Sequence, residues 1–217
     1  RNITSGDDNV GVGYLAGTAV TTGSKNICIG KSAGAAMDTQ SGAVLIGWTA
    51  GQLINHNDAA NTVAIGSEAL QALTSGQGNV GVGAGALYYE DDGDYNTAIG
   101  HQALATQAGT TGTVGNTALG HKSGKWLTTG IKSTFIGCEA GQGIQATKLT
   151  GSQNTVIGYQ SGFLLQGSAA DNTIMGAHAG DAITTTSSTI LIGSYAGSAI
   201  NSTDANGTIA IGKQALT

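Results

Sequence analysis

Apolar residues recur in this chain at fixed positions, not in long runs. Twelve of them each precede a glycine: Val12, Ile29, Ile46, Ile65, Val82, Ile99, Leu119, Ile136, Ile157, Met175, Ile192 and Ile211. Two positions earlier stand Val10, Ile27, Val44, Val63, Val80, Thr97, Thr117, Thr134, Thr155, Thr173, Ile190 and Ile209, all β-branched. A period of two marks short strands with one face inward, and β-branched side chains suit a pleated surface. The twelve residues before the glycines are therefore assigned as the core of a structural repeat. The slot between the two files is also apolar: Gly11, Cys28, Leu45, Ala64, Gly81, Ala98, Ala118, Phe135, Val156, Ile174, Leu191 and Ala210. A strand apolar on both sides is covered on both sides. The outer side is accordingly expected to pack against another chain.

The glycines that follow, Gly13 to Gly212, are spaced 17 to 21 residues apart. A period of that size belongs to stacked units that bury their apolar faces against their neighbours. Three residues after each anchor glycine stands Ala or Ser, and the next residue is Gly or Leu. Small residues in register point to a tight corner. Asn9, Asn26, Asn79, Asn96, Asn116, Asn154 and Asn172 occupy one position before the strands. They are read either as a hydrogen-bonded file or as turn chemistry alone. All length variation falls in Ser-, Thr- and Gly-rich arms between corner and strand. The expected fold is all-β, a parallel β-solenoid or β-roll of about twelve repeats, forming a single domain over residues 1–217. Both ends read as cut from a longer fibrous protein.

Composition narrows the choices. Proline is absent, as suits paired strands, and net charge is −5 with no basic stripe. Nucleic-acid binding is not expected, nor is membrane insertion by this segment. Cys28 reads as a buried apolar residue, and six repeats separate it from Cys138, too far for a disulfide.

Several constellations could carry chemistry. His101, His121, Cys138 and Tyr159 share the slot after the anchor glycine in consecutive repeats, which makes a metal file conceivable. Tyr14, Lys31, Trp48, Ala84 and Lys213 fill the same slot elsewhere, so the slot is permissive and no metal site is assigned. The run Glu90-Asp91-Asp92-Gly93-Asp94 lacks calcium-loop spacing and reads as a solvated loop tip. Tyr88, Tyr89, Tyr95, Trp126 and Phe163 lie on the arms, where aromatic rings would contact a receptor or a sister chain. No nucleophile–base set is evident. No catalytic residue and no cofactor is expected.

The stretches Asn-Thr-Ala-Ile-Gly-His-Gln-Ala-Leu at 96–104 and Asn-Thr-Val-Ile-Gly-Tyr-Gln-Ser-Gly at 154–162 carry a resemblance. They resemble head repeats of trimeric autotransporter adhesins and, more closely, related repeats of bacteriophage tail fibres. The resemblance spans Asn9 to Leu216, although the usual head repeat is shorter. It implies a homotrimer that attaches to a surface without catalysis, its partner a host cell-surface glycan or protein. The expected setting is a virion tail fibre, with the head of a bacterial surface adhesin as the alternative. Two other readings fare worse. An acyltransferase β-helix needs three hexads per coil, but residues six and twelve after Ile99 are Ala105 and Thr111, and after Ile46 they are Gln52 and Asp58. An ice-binding solenoid needs an outward threonine array, and the file Thr97, Thr117, Thr134, Thr155 and Thr173 is assigned here to the core side.

Overall fold

A computed structural model describes residues 5–200 and 205–217. The chain divides into two compact units. One comprises Arg1–Gln102 and Ala108–Val114, the other Ala103–Gln107 and Gly115–Thr217. Unit 1 carries β1 (Val10–Val12), β2 (Ile27–Ile29), β3 (Val44–Ile46), β4 (Val63–Ile65), β5 (Val80–Val82), β6 (Gly93–Asp94), β7 (Thr97–Ile99) and β8 (Gly112–Thr113). Unit 2 carries β9 (Thr117–Leu119), β10 (Thr134–Ile136), β11 (Thr155–Ile157), β12 (Thr173–Met175), β13 (Ile190–Ile192) and β14 (Ile209–Ile211). Each unit is a parallel β-solenoid with six repeat strands. In unit 1, β1 to β5 and then β7 pair in sequence order, and β6 pairs with β8. In unit 2, β9 to β14 pair in order.

Backbone contact between anchor glycines fixes the register. These glycines sit at φ between +124° and +143°, a region closed to other residues. A methyl on Gly30 would lie 2.4 Å from the carbonyl oxygen of Gly47, and one on Gly47 would lie 2.2 Å from that of Gly66. In unit 2 a methyl on Gly120 would meet the Gly137 oxygen at 2.4 Å. With glycine over glycine, the preceding aliphatic residues fall into register, Ile29 on Ile46 and Ile136 on Ile157.

The stacking expected of the aliphatic file is present, but its orientation is reversed. Val12, Ile29, Ile46, Ile65, Val82, Ile99, Leu119, Ile136, Ile157, Met175, Ile192 and Ile211 do not line the interior of either unit. They are half-buried or exposed, from 36% at Ile29 to 66% at Ile211 among the most open. The intervening residue points inward instead, and Leu45, Ala64, Ala98, Phe135, Val156, Ile174 and Leu191 are fully buried. In a three-residue strand the side chains alternate, so either the middle one or the outer two face inward. Which one goes in is decided by what fills the corner opposite.

That corner position, four residues after the anchor glycine, alternates in size with the strand centre. Small centres go with leucine: Ala64 and Gly81 have Leu70 and Leu87 six places on, and a methyl on Gly81 would lie 3.1 Å from Leu70 Cγ. Large centres face glycine: Leu45 with Gly51, Phe135 with Gly141, Val156 with Gly162, Leu191 with Gly197. A methyl on Gly141 would lie 2.2 Å from a Phe135 ring carbon, and one on Gly51 would lie 2.8 Å from Leu45 Cδ2. Two pairs depart from the rule: at Gly11 with Gly17 the nearest side chain to a methyl on Gly17 is Cys28 at 3.4 Å, and at Ala118 with Gly124 the space is filled by Leu104 and Phe135, each 2.9 Å from a methyl at Gly124. A third interior wall comes from the arms, where Val20, Met37, Ile54, Leu73, Leu127, Leu149, Leu165 and Ile183 are buried.

The asparagine file is a hydrogen-bonded device rather than turn chemistry alone. The Asn26 side-chain NH2 donates to the Gln40 carbonyl at 2.7 Å, and its Oδ1 accepts from the Ala43 N–H at 3.0 Å. In unit 2, Asn116 does the same with the Gly130 carbonyl and the Ser133 N–H, both at 2.8 Å. Asn26, Asn79, Asn116, Asn154 and Asn172 each satisfy two main-chain groups of the next turn in this way.

The size alternation predicts the outcome of a double-mutant cycle in unit 1. Leu45→Ala is expected to cost about 2–5 kcal/mol, and Gly51→Leu about 1–3 kcal/mol through overpacking. Together they recreate the pairing found at Ala64 and Leu70, where leucine already holds φ +49°. The double variant should be more stable than Leu45→Ala alone when measured by urea unfolding. Strictly additive losses would refute the complementarity.

Candidate functional site

Three outward features compete for a role: the strand face, the aromatic and histidine side chains around the turns, and the acidic arm. On the strand face, the two outer residues of each strand form parallel files. In unit 1 these are Val10, Ile27, Val44, Val63, Val80 and Thr97 beside Val12, Ile29, Ile46, Ile65, Val82 and Ile99. Strands about 4.8 Å apart make such a ridge roughly 25 Å long in each unit. Monomeric proteins rarely leave a contiguous aliphatic surface of this kind bare. The file Thr117, Thr134, Thr155 and Thr173 in unit 2 also stands outward, exposed or half-buried, which corrects its assignment to the core side.

The arm aromatics do not converge on one site. Tyr88 and Tyr89 meet edge-to-face with ring centroids 4.5 Å apart, Tyr89 being the more open at 57%. Tyr95 lies before the next strand, and its hydroxyl donates to Gln77 Oε1 at 2.8 Å. In unit 2 the half-buried Trp126 carries the Lys125 ammonium over its ring at 4.6 Å. Burial and then the nearby Lys122 charge push the Lys125 pKa down. Phe163 is also half-buried, with its carbonyl held by the Gly143 N–H at 3.0 Å.

Of the four residues after anchor glycines, His121 and Cys138 come together, with Nδ1 and Sγ 3.8 Å apart. Tyr159 instead begins an aromatic stack that sequence reasoning missed. It meets His178 edge-on at 5.2 Å, and His178 lies flat on Tyr195 at 4.8 Å. Asp181 Oδ2 sits 3.5 Å from His178 Nδ1. The missed signal was a shift of one place, since His178 and Tyr195 lie two residues past their glycines, not one. Among the described residues no three His, Cys, Asp or Glu side chains group as metal ligands.

The acidic arm is not a solvated tip throughout. Glu90 is fully buried, at the arm position filled by Leu73 one turn earlier. Its Oε1 accepts from the Gly93 and Asp91 N–H groups at 2.7 and 3.1 Å, and the Asn96 NH2 donates to Oε2 at 3.2 Å. Burial pushes its pKa up to about 7, outweighing the main-chain hydrogen bonds that favour the anion. Asp92 behaves oppositely, because hydroxyl bonds from Thr74 and Ser75 hold its pKa down. Asp92 and Asp94 line an open polar groove of about 330 Å³ with Asp58, Ser75, Gln77, Thr111 and Gly112.

No known protein family, curated protein or solved structure matches the chain.

Glu90 makes the stability of unit 1 depend on pH. The carboxyl ionises near pH 4.5 when unfolded and near pH 7 when folded. The folded state therefore holds the proton more tightly, and stability falls as pH rises between those values. Above pH 7 the loss reaches about 3 kcal/mol. Glu90→Gln should remove that slope and be the more stable form at pH 8. In unit 2 the same arm position is filled by buried Gln107, whose Oε1 accepts from Asn116 at 2.7 Å. Urea unfolding from pH 5 to 9 tests this, and parallel curves for the two proteins would contradict it.

Proposed function

We propose that this chain is a non-enzymatic structural and adhesive fibre segment, set in a phage tail fibre that contributes to host-surface attachment. The observation that carries the reading is the pair of aliphatic files facing out from each unit. The described residues of each unit leave them half-buried or exposed, and their burial against identical copies is favourable by about 25 cal/mol per Å² of apolar surface. The repeat wording at 96–104 and 154–162 supports three copies and the virion setting. Tyr89 and Tyr95, each at least half open, are the arm residues best exposed to touch a glycan or protein of the host. The interior of each unit is filled by side chains, which leaves the surface as the working part.

Three chains of 21.3 kDa give 63.9 kDa, and sedimentation or native mass measurement should return that value. Ile46→Glu and Ile157→Glu, both outward, should break the assembly, because a buried unpaired carboxylate is costly. A folded 21.3 kDa monomer of the unaltered protein at micromolar concentration would overturn the reading.

One observation favours a second reading, an ordered-water or ice-binding surface: the outward threonine file of unit 2. Sister subunits would cover that file in the fibre reading, so the assembled protein should show no thermal hysteresis. A freezing gap abolished by Thr155→Arg would instead move the function to that face.

A further inference from the structure

We propose that His121 and Cys138 form a two-residue chelate for a soft, low-coordination cation, monovalent copper being the ion this donor set fits. The proposal is independent of the attachment reading, since it uses neither the outward strand face nor the arms. The two residues follow the anchor glycines of adjacent turns in unit 2, and both are exposed. Their main chain is locked on either side. The Gly137 N–H donates to the Leu119 carbonyl, and the Glu139 N–H to that of His121, both at 2.8 Å. A fixed main chain holds the two Cα atoms in adjacent turns, so only the side-chain rotamers need ordering when an ion arrives.

That separation suits a shared ion. With a metal–sulfur bond of about 2.3 Å and a metal–nitrogen bond of about 2.0 Å, a gap of 3.8 Å opens an angle of about 120° at the metal. This is the trigonal value, with the third position left to water or a small exogenous donor. Thiolate with imidazole selects soft ions, and a three-coordinate arrangement suits monovalent copper. Structural zinc takes four ligands and catalytic zinc at least three from the protein. Among the described residues no such group of three exists. On binding, the Cys138 thiol gives its proton to solvent and its sulfur forms the metal bond, with no change in oxidation state.

The cysteine content makes the test clean, because the other thiol, Cys28, is buried at 2% exposure in the interior of unit 1. The full chain is titrated without oxygen with monovalent copper buffered by bicinchoninate. One equivalent per chain is expected. Cys138→Ser should abolish binding, His121→Ala should weaken it roughly tenfold or more, and Cys28→Ser should leave it unchanged. Cys138 is exposed and Cys138→Ser is nearly isosteric, so thermal unfolding of that variant should match that of the parent. Wild-type affinity in His121→Ala would reduce the site to a single thiol and overturn the proposal. So would one copper per two or three chains, which would mean bridging between subunits.

Discussion

Main chain touching main chain at the anchor glycines is the contact on which the rest of each unit depends. At Gly30, Gly47, Gly120 and Gly137 the next turn's carbonyl stands where any Cβ would be. This close approach leaves one register for the following strand, and every other file inherits it. It is reinforced at several places in each turn by αL residues. Ser32, Thr49, Glu68, Lys122, Glu139 and Gln160 hold positive φ two places after their glycines, and Lys25, Asn61, Lys132, Gln153 and Asp171 do so before their strands. Each such non-glycine residue costs about 1–2 kcal/mol. The cost is sustained because hydrogen bonds on both sides of the bend leave no other path. Gln160, for example, donates its N–H to the Cys138 carbonyl at 3.0 Å and its side-chain amide to Glu139 at 2.8 Å.

The turn count, the strand positions and the parallel stacking were legible, because glycine spacing and β-branched periodicity report directly on the backbone. The inward face was not. Both sides of each strand are apolar, so hydropathy alone could not choose between them. Uniformity suggests a core, yet the β-branched and aliphatic files face outward, where equivalent residues of successive turns repeat. The interior is the variable slot, since its residues must fit a corner that is glycine in one turn and leucine in another. The alternation of Leu45 with Gly51 against Ala64 with Leu70 was present in the sequence and would have decided the matter. A slot whose size varies in compensation with a second slot touches it; a slot that never varies need touch only copies of itself.

The candidate sites were legible in proportion to how local their geometry is. The His121–Cys138 pair follows from register alone, because both residues occupy the same place in adjacent turns. Glu90 was misread because a run of acids suggests solvent, whereas its position seven residues after Gly83 matches the buried Leu73 and Ile54 of other turns. Position in the repeat outweighed charge, and the fold accommodated the carboxyl with two main-chain donors and Asn96. The stack from Tyr159 through His178 to Tyr195 escaped notice for a different reason: an αL bend carries neighbouring positions of the repeat around the same edge, so rings one place out of register still meet.

The two outward files are not equivalent along the chain, and the difference bears on what can cover them. In unit 1 the first file is Val or Ile in five turns of six, ending in Thr97. In unit 2 it is threonine in four turns before returning to Ile190 and Ile209. Threonine keeps the branched shape that suits the pleat and adds a hydroxyl that must find a partner if buried. A covering surface can therefore be dry over unit 1. Over Thr117 to Thr173 it must supply acceptors, retain water or place a second threonine opposite. In the proposed assembly identical copies would meet that demand without a specialised partner, because the same hydroxyl can donate to one neighbour and accept from another. The aliphatic file beside it, from Leu119 to Ile211, is uninterrupted, so loss of apolar area in the first file does not break continuity of the outward aliphatic ridge.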